Sequence, residues 1–294
     1  MQGRTSLLVD YHVHYHAHGD SGPYTVDRLD SIVAAARAAG VAEVGISEHI
    51  FRFVEFRDVV GDWWTKFDDR PELEAHCERY IAEHATQRIA DYVDFLTKAK
   101  ESGYPIKIGL EVDHYPGMEA SVAQFLEDLP LDYVLGSVHW IGAWGFDNEE
   151  MLDEWDKRDV DGVWTSYFEL LEDLVESGIP DILAHPDVVK KFGFRPRSFD
   201  LASAWERLVQ QCIQRKVVLE VSSAGLRMPV SEIYPAPDLL EAAVSEGAQV
   251  VTASDAHVPE LVGYRFDELR AAFSRYGVRQ LTVFRDRSPE GWPV

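Results

Sequence analysis

His12-x-His14, near the start of the chain, sets two imidazoles two residues apart. On a β-strand that spacing puts both side chains on one face, where they can grip a single ion. Similar residues recur along the chain: Asp20 in the turn Asp20-Ser21-Gly22, His49 closing Ser47-Glu48-His49, Glu111, His139, His185 before Pro186, and the pair in Asp255-Ala256-His257. Imidazole and carboxylate without thiolate suits zinc, manganese or iron in a catalytic site and argues against a cysteine-rich structural zinc. These donors are too many for one ion, so the set predicts two or three divalent metal ions sharing a carboxylate. Glu111, alone at the end of its apolar run, is the natural bridge. Ions about 3.5 to 4 Å apart can share a hydroxide and polarise both sides of a phosphoryl group. Hydrolysis of a phosphate ester is the chemistry that follows.

The elements that must carry these groups are short apolar runs alternating with helical patterns. Strands are expected at Ser6–Val9, Glu43–Ile46, Ile106–Leu110, Asp132–Ser137, Asp181–Ala184, Val217–Val221 and Val250–Ser254, with one more at Leu281–Phe284. Helical spacing marks Val26 to Ala39, Val163 to Ser177 and Pro237 to Gly247, and Pro71 opens one long helix running to about Ser102. The aromatic segment 50–70 has no clear period and reads as an active-site loop, with a loop packed on the barrel rim as the alternative. Continuous apolar strands separated by helices mean a parallel sheet covered on both faces. At 294 residues the expectation is one α/β domain, residues 1–294, a closed or nearly closed barrel with its chemistry at the carboxyl ends of the strands. The nine donors follow six of these strands. His76 and His84 on the long helix are expected to face solvent, and His16, His18 and His114 to be neighbours of ligands.

A formal net charge of -23 excludes a general nucleic-acid or anionic-membrane surface. No apolar run reaches the roughly 18 residues of a membrane span. Cys77 and Cys212 form no Cys-x-x-Cys pair and read as reduced thiols, which fits a cytoplasmic address. A phosphate dianion must be held locally against this acidity. Arg227 is the first candidate clamp because a guanidinium binds two phosphate oxygens at once, followed by Lys190, Lys191 and Arg195. Trp63, Trp64, Phe67 and Trp144 are candidates for contacting the leaving group.

Taken together, His12-x-His14 with Asp20, Ser47-Glu48-His49, Glu111 after Ile108-Gly109-Leu110, Gly136-Ser137-Val138-His139, His185-Pro186 and Ser254-Asp255-Ala256-His257 resemble the successive motifs of the PHP (polymerase and histidinol phosphatase) superfamily. Lys190-Lys191-Phe192-Gly193, Ala224-Gly225-Leu226-Arg227 and Tyr234-Pro235-Ala236-Pro237 are similar to its histidinol-phosphate phosphatase branch. The resemblance implies a distorted (β/α)7 TIM-like barrel with a trinuclear centre. One ion is expected on His12, His14, Glu111 and Asp255, a second on Glu111, His139 and His185, and a third on Asp20, His49 and His257. It implies catalytic roles for Glu111, Asp255 and His257, and a metal-dependent phosphomonoesterase acting on L-histidinol phosphate in histidine biosynthesis. Another phosphoesterase of the superfamily, acting on nucleotides or other small phosphate esters, is the alternative, and a non-catalytic metal-binding module a third. Tyr15, His18 and Ser222 depart from the residues frequent in relatives, so the first loop is open to a different shape with His18 competing as a ligand. The partner is a small phosphorylated substrate, and the oligomeric state is left open.

Overall fold

The computed structural model of the protein describes residues 8–67 and 69–294. Seven parallel strands form one sheet: β1 (Leu8–Val13), β2 (Val41–His49), β3 (Ile106–Asp113), β4 (Tyr133–Ser137), β5 (Ile182–Leu183), β6 (Val218–Ser222) and β7 (Val250–Ala253), paired in that order. All but two residues of these strands, in β2, are buried, the condition of a sheet covered on both faces. The ends of the sheet meet. His14 N donates to Ala256 O at 2.8 Å and Ala256 N to His12 O at 3.2 Å. Below that contact the Asp10 carboxylate accepts from Ser254 N (2.8 Å), Ser254 Oγ (2.6 Å) and Gly263 N (2.9 Å), completing a nearly closed barrel of one domain.

Helices fill the connections. The principal ones are α1 (Val26–Ala38), α2 (Val54–Val60), α3 (Pro71–His84), α4 (Ile89–Glu101), α5 (Glu119–Glu127), α6 (Val160–Glu176), α7 (Leu201–Arg215), α8 (Pro237–Ser245) and α9 (Phe266–Tyr276). Their starts follow local chemistry: Thr25, Asp159 and Asp200 accept from backbone amides three residues on, capping α1, α6 and α7. The face of α1 that turns inward carries Leu29, Ile32, Val33 and Ala36. Among the described residues, no helix is long and apolar enough to cross a membrane.

Two expectations need correction, and a third is met outside the barrel sheet. The single helix from Pro71 to Ser102 is two helices, because Thr86 N and Gln87 N donate to Arg52 O at 3.1 and 3.0 Å while Val54 N donates to Gln87 O at 2.9 Å. Backbone pairing with a distant segment wins over continuing the helix. Segment 50–70 is not an open loop: it folds into two single turns, Ile50–Arg52 and Trp63–Phe67, on either side of α2, and buries Phe51, Phe53, Phe56, Trp63 and Trp64. The late strand is real but lies outside the barrel sheet, as β8 (Gln280–Arg285) in an antiparallel hairpin with β9 (Ser288–Pro293). Arg287 N donates to Asp132 O at 2.8 Å, and its side chain reaches Asp181 Oδ2 and Ile179 O, each at 2.8 Å. These partners precede β4 and β5, so the hairpin covers the amino ends of the strands. The expected start of the first strand at Ser6 lies outside the described residues.

The same end is filled by aromatic rings. Tyr133 stacks on Tyr11 with centroids 4.8 Å apart and donates to Tyr11 O at 2.7 Å. Room for the Tyr133 ring comes from Gly45 on β2 and Gly109 on β3: a methyl group at Gly45 would stand 2.7 Å from Tyr133 Cζ and 3.0 Å from the Tyr11 Cα. Overpacking at such a site costs about 1 to 3 kcal/mol. Gly45→Ala is therefore expected to lower unfolding stability by about that amount in chemical denaturation, and an unchanged midpoint would show that the ring has space to move.

Candidate metal centre

The carboxyl ends of the strands converge on Glu111, which β3 delivers fully buried at 1% exposure. Its two oxygens face different imidazoles. Oε2 lies 3.2 Å from His12 Nε2, 3.5 Å from His14 Nε2 and 2.7 Å from His49 Nδ1. Oε1 lies 3.0 Å from His185 Nε2 and 3.5 Å from His139 Nε2. On the far side of His12 and His14, Asp255 Oδ1 sits 3.8 and 3.5 Å from their Nε2 atoms. Donor atoms close enough to share an ion form three groups: His12, His14 and Asp255; His12, Glu111 and His185; and His14, His49 and His257.

Several of these contacts lack hydrogen-bond geometry. Glu111 Oε2 and His49 Nδ1 are buried and 2.7 Å apart, yet neither has a hydrogen-bond partner. His49 Nε2, His257 Nε2, His14 Nδ1 and His185 Nδ1 are also buried without one. Orphaned polar atoms of this kind carry a desolvation penalty of about 1 to 3 kcal/mol each, which a cation would remove. The His12 and His14 Nε2 atoms stand 3.1 Å apart. Two nitrogens at 2.0 to 2.1 Å from a tetrahedral zinc would stand about 3.3 Å apart. The residues present therefore fit divalent cations.

Two further carboxylates brace the ligands from behind. Glu220 Oε2 is 2.8 Å from His12 Nδ1 while its Oε1 accepts from His185 N at 3.2 Å, and Asp113 Oδ1 is 2.6 Å from His139 Nδ1. Such a carboxylate holds the proton on Nδ1 and leaves Nε2 free to bind a metal. Neither residue was picked out in the sequence. The signal was present: Glu220 interrupts the apolar run Val218-Leu219-Glu220-Val221, and Asp113 shares a strand face with Glu111.

Electrostatics bears the same stamp. Burial opposes charge on Glu111, but His49, His12 and His139 hold its carboxyl well below the usual range. Asp255 is likewise held low, against burial, chiefly by His12 and His14. Burial lowers His14 to about 4 and, with His14 and His18 beside it, pushes His257 well below its ordinary value. His12 and His139 go the other way: carboxylates on both ring nitrogens overcome burial, raising His12 well above normal and His139 to about 10. The site is short of positive charge. Two of its residues also adopt left-handed backbone, His185 at φ 26° and Asp255 at φ 51°, strain that turns the chain sharply at the strand ends.

Eight of the nine expected donors thus surround this centre. Asp20 stands outside: it is half-buried, caps Gly22 N at 2.9 Å and pairs with Arg28 at 3.4 Å. The group containing His49 and His257 takes His14 instead. His18 stacks on His257 at 4.2 Å and lines the cavity above, whereas His16 and His114 are buried outside the three donor groups. His76 and His84 do not face solvent on the outside of α3; they line the same cavity, His76 pairing with Glu150 at 3.1 Å.

That cavity, of about 590 Å³, opens above the donors. Arg227 and Lys191 line it. Arg227 donates to Ser254 O at 2.8 Å and to Asp255 O, which ties its guanidinium to the ligand turn, and Lys191 Nζ donates to Asp147 O at 2.7 Å. Lys190 is not a substrate contact. It is fully buried and spends its ammonium on Asp187 (2.8 Å), Glu232 (3.1 Å) and Ile233 O (2.8 Å). Arg195 binds Glu232 at 2.7 Å away from the cavity. Trp63, Trp64 and Trp144 are buried and, like Phe67, do not line it; Phe51, Tyr80 and Trp140 do.

Comparison with known proteins gives a consistent result. A family model described as the PHP domain matches residues 10–224. The chain is 35% identical over 287 residues to a Deinococcus radiodurans protein named "Probable histidinol-phosphatase", covering 95% of this chain and 97% of that one. A Lactococcus lactis histidinol-phosphatase is 23% identical over 282 residues, 94% of each chain. A crystal structure of histidinol phosphate phosphatase from Lactococcus lactis, complexed with zinc, L-histidinol and phosphate, aligns with a TM-score of 0.69 at 19% identity over 97% of this chain and 100% of that one. The last likeness carries the fold.

Removing a bracing carboxylate should loosen metal without removing a ligand. Glu220→Gln and Asp113→Asn are each expected to weaken divalent-metal affinity about 10- to 100-fold, read as metal content after dialysis against graded chelator. Full retention would mean that His12 and His139 do not depend on them.

Proposed function

The chain belongs to the PHP domain family, and we propose on that premise that it is a metal-dependent phosphomonoesterase that hydrolyses L-histidinol phosphate to L-histidinol and phosphate, a step of histidine biosynthesis. The observation that carries the hydrolytic reading is Glu111, one carboxylate with each oxygen turned to its own set of imidazoles beneath a cavity. The named relatives support the choice of substrate.

The donor set suits two or three divalent ions of zinc, manganese or iron, held by His12, His14, His49, Glu111, His139, His185, Asp255 and His257, with Glu111 shared. When bound, such ions supply a water-derived nucleophile at neutral pH and neutralise the charge of the phosphoryl oxygens. The chain's own residues do the positioning. Glu220 and Asp113 fix the ring orientation of His12 and His139. Arg227, anchored through two carbonyls, retains further guanidinium N–H groups for phosphate oxygens, and Lys191 adds a second cation on the cavity wall. Asp255 and His257 would take catalytic roles beside Glu111, as members of the donor groups that also line the cavity. The partner is a small phosphorylated molecule.

Two outcomes are expected. Glu111→Gln should abolish phosphate release from L-histidinol phosphate and lower bound metal by more than one equivalent, measured by elemental analysis beside a phosphate assay; loss of one equivalent or less would remove it as a bridge. Arg227→Lys keeps the charge but not the planar fork, and should raise KM for phosphate monoesters by about tenfold. An unchanged KM would take Arg227 out of the phosphate site.

A further inference from the structure

Beside the donors, one side of the cavity is aromatic. Tyr80 projects from α3 with Trp140 at 5.6 Å and Phe51 at 5.7 Å, both edge-on, while His84 stacks on its face at 4.0 Å. Phe51 in turn stacks on His49 at 4.6 Å, so this wall is continuous with the donor cluster. All four residues line the cavity. Tyr80 is half-buried, and its hydroxyl makes no hydrogen bond among the described residues. Glu83 and Glu150 stand at the same side, and the nearby cation, Arg79, leans on Glu150 at 3.9 Å. None of this serves metal binding. An aromatic wall carrying a free hydroxyl and an acidic edge is instead matched to a planar, nitrogen-bearing, positively charged group.

We propose that this wall is the subsite for the leaving alcohol of the phosphate ester, and that Tyr80 is its specificity-determining residue. The imidazole ring packs against Tyr80, Trp140 and Phe51, with the Tyr80 hydroxyl available to a ring nitrogen, and the ammonium group lies toward Glu83 and Glu150. The phosphate faces the donors and Arg227. The inference rests on L-histidinol phosphate being the substrate.

The test compares kcat/KM for L-histidinol phosphate with that for glycerol 2-phosphate, which has no ring and no cation, in the metal-loaded enzyme and its variants. Tyr80→Leu is expected to lower the ratio of the two at least about tenfold, mainly through KM for L-histidinol phosphate. Tyr80→Phe, which keeps the ring and removes only the hydroxyl, is expected to lower it about threefold and provides the reading if the leucine variant does not fold. A wild type that prefers L-histidinol phosphate and keeps that preference in the variants would overturn the subsite and leave the substrate assignment standing. A wild type without the preference would overturn the substrate assignment itself.

Discussion

Negative charge buried without a compensating base is the constraint on which this molecule is built. Glu111, Asp113 and Glu220 lie at 2% exposure or less, and their side-chain ion-pair partners among the described residues are imidazoles. Proton uptake by His12 and His139, which these carboxylates favour, balances them only in part, and a carboxylate left unbalanced in a low-dielectric interior is costly. Divalent cations resolve the conflict. The local irregularities then have a common reason, since the pairing shift in β1 before His14 and the left-handed backbone at His185 and Asp255 turn donor atoms toward one region.

The cavity above inherits a division of labour. Its floor is made of donors that attract a phosphoryl group once cations are present, with Arg227 and Lys191 beside them. One side wall is made of rings and carboxylates from α3, from Trp140 and from the turn around Glu150. An overall charge of -23 is therefore no obstacle to an anionic substrate: the sign that matters is local.

Much of this was legible in the sequence, because the strands of a parallel barrel are short apolar runs and reactive side chains gather where those runs end. His12, His14, His49, Glu111, His139, His185, Asp255 and His257 were found that way, although His12, His49 and Glu111 lie inside strands longer than expected. What escaped was decided by contacts between distant segments. The break between α3 and α4 carries no Gly or Pro and comes from backbone pairing of Thr86 and Gln87 with Arg52. Lys190 and Lys191 are adjacent and alike in sequence, yet Asp187 and Glu232 claim one while the other reaches the cavity. Asp20 had the right type and place, but Arg28 on the first turn of α1 takes its charge. Segment 50–70 has no period because its single turns and short α2 are buried from several sides at once.

The seam where β1 meets β7 carries a consequence for how the protein comes into being. His12 and Asp255 are separated by most of the chain, and they become neighbours only when the last barrel strand docks against the first. A nascent polypeptide leaving the ribosome holds the first ligands long before the final ones exist, so it has no complete cage to load. Ions that bind only the finished cage then act as a latch on a closure that spans most of the chain, favouring the docked seam by mass action.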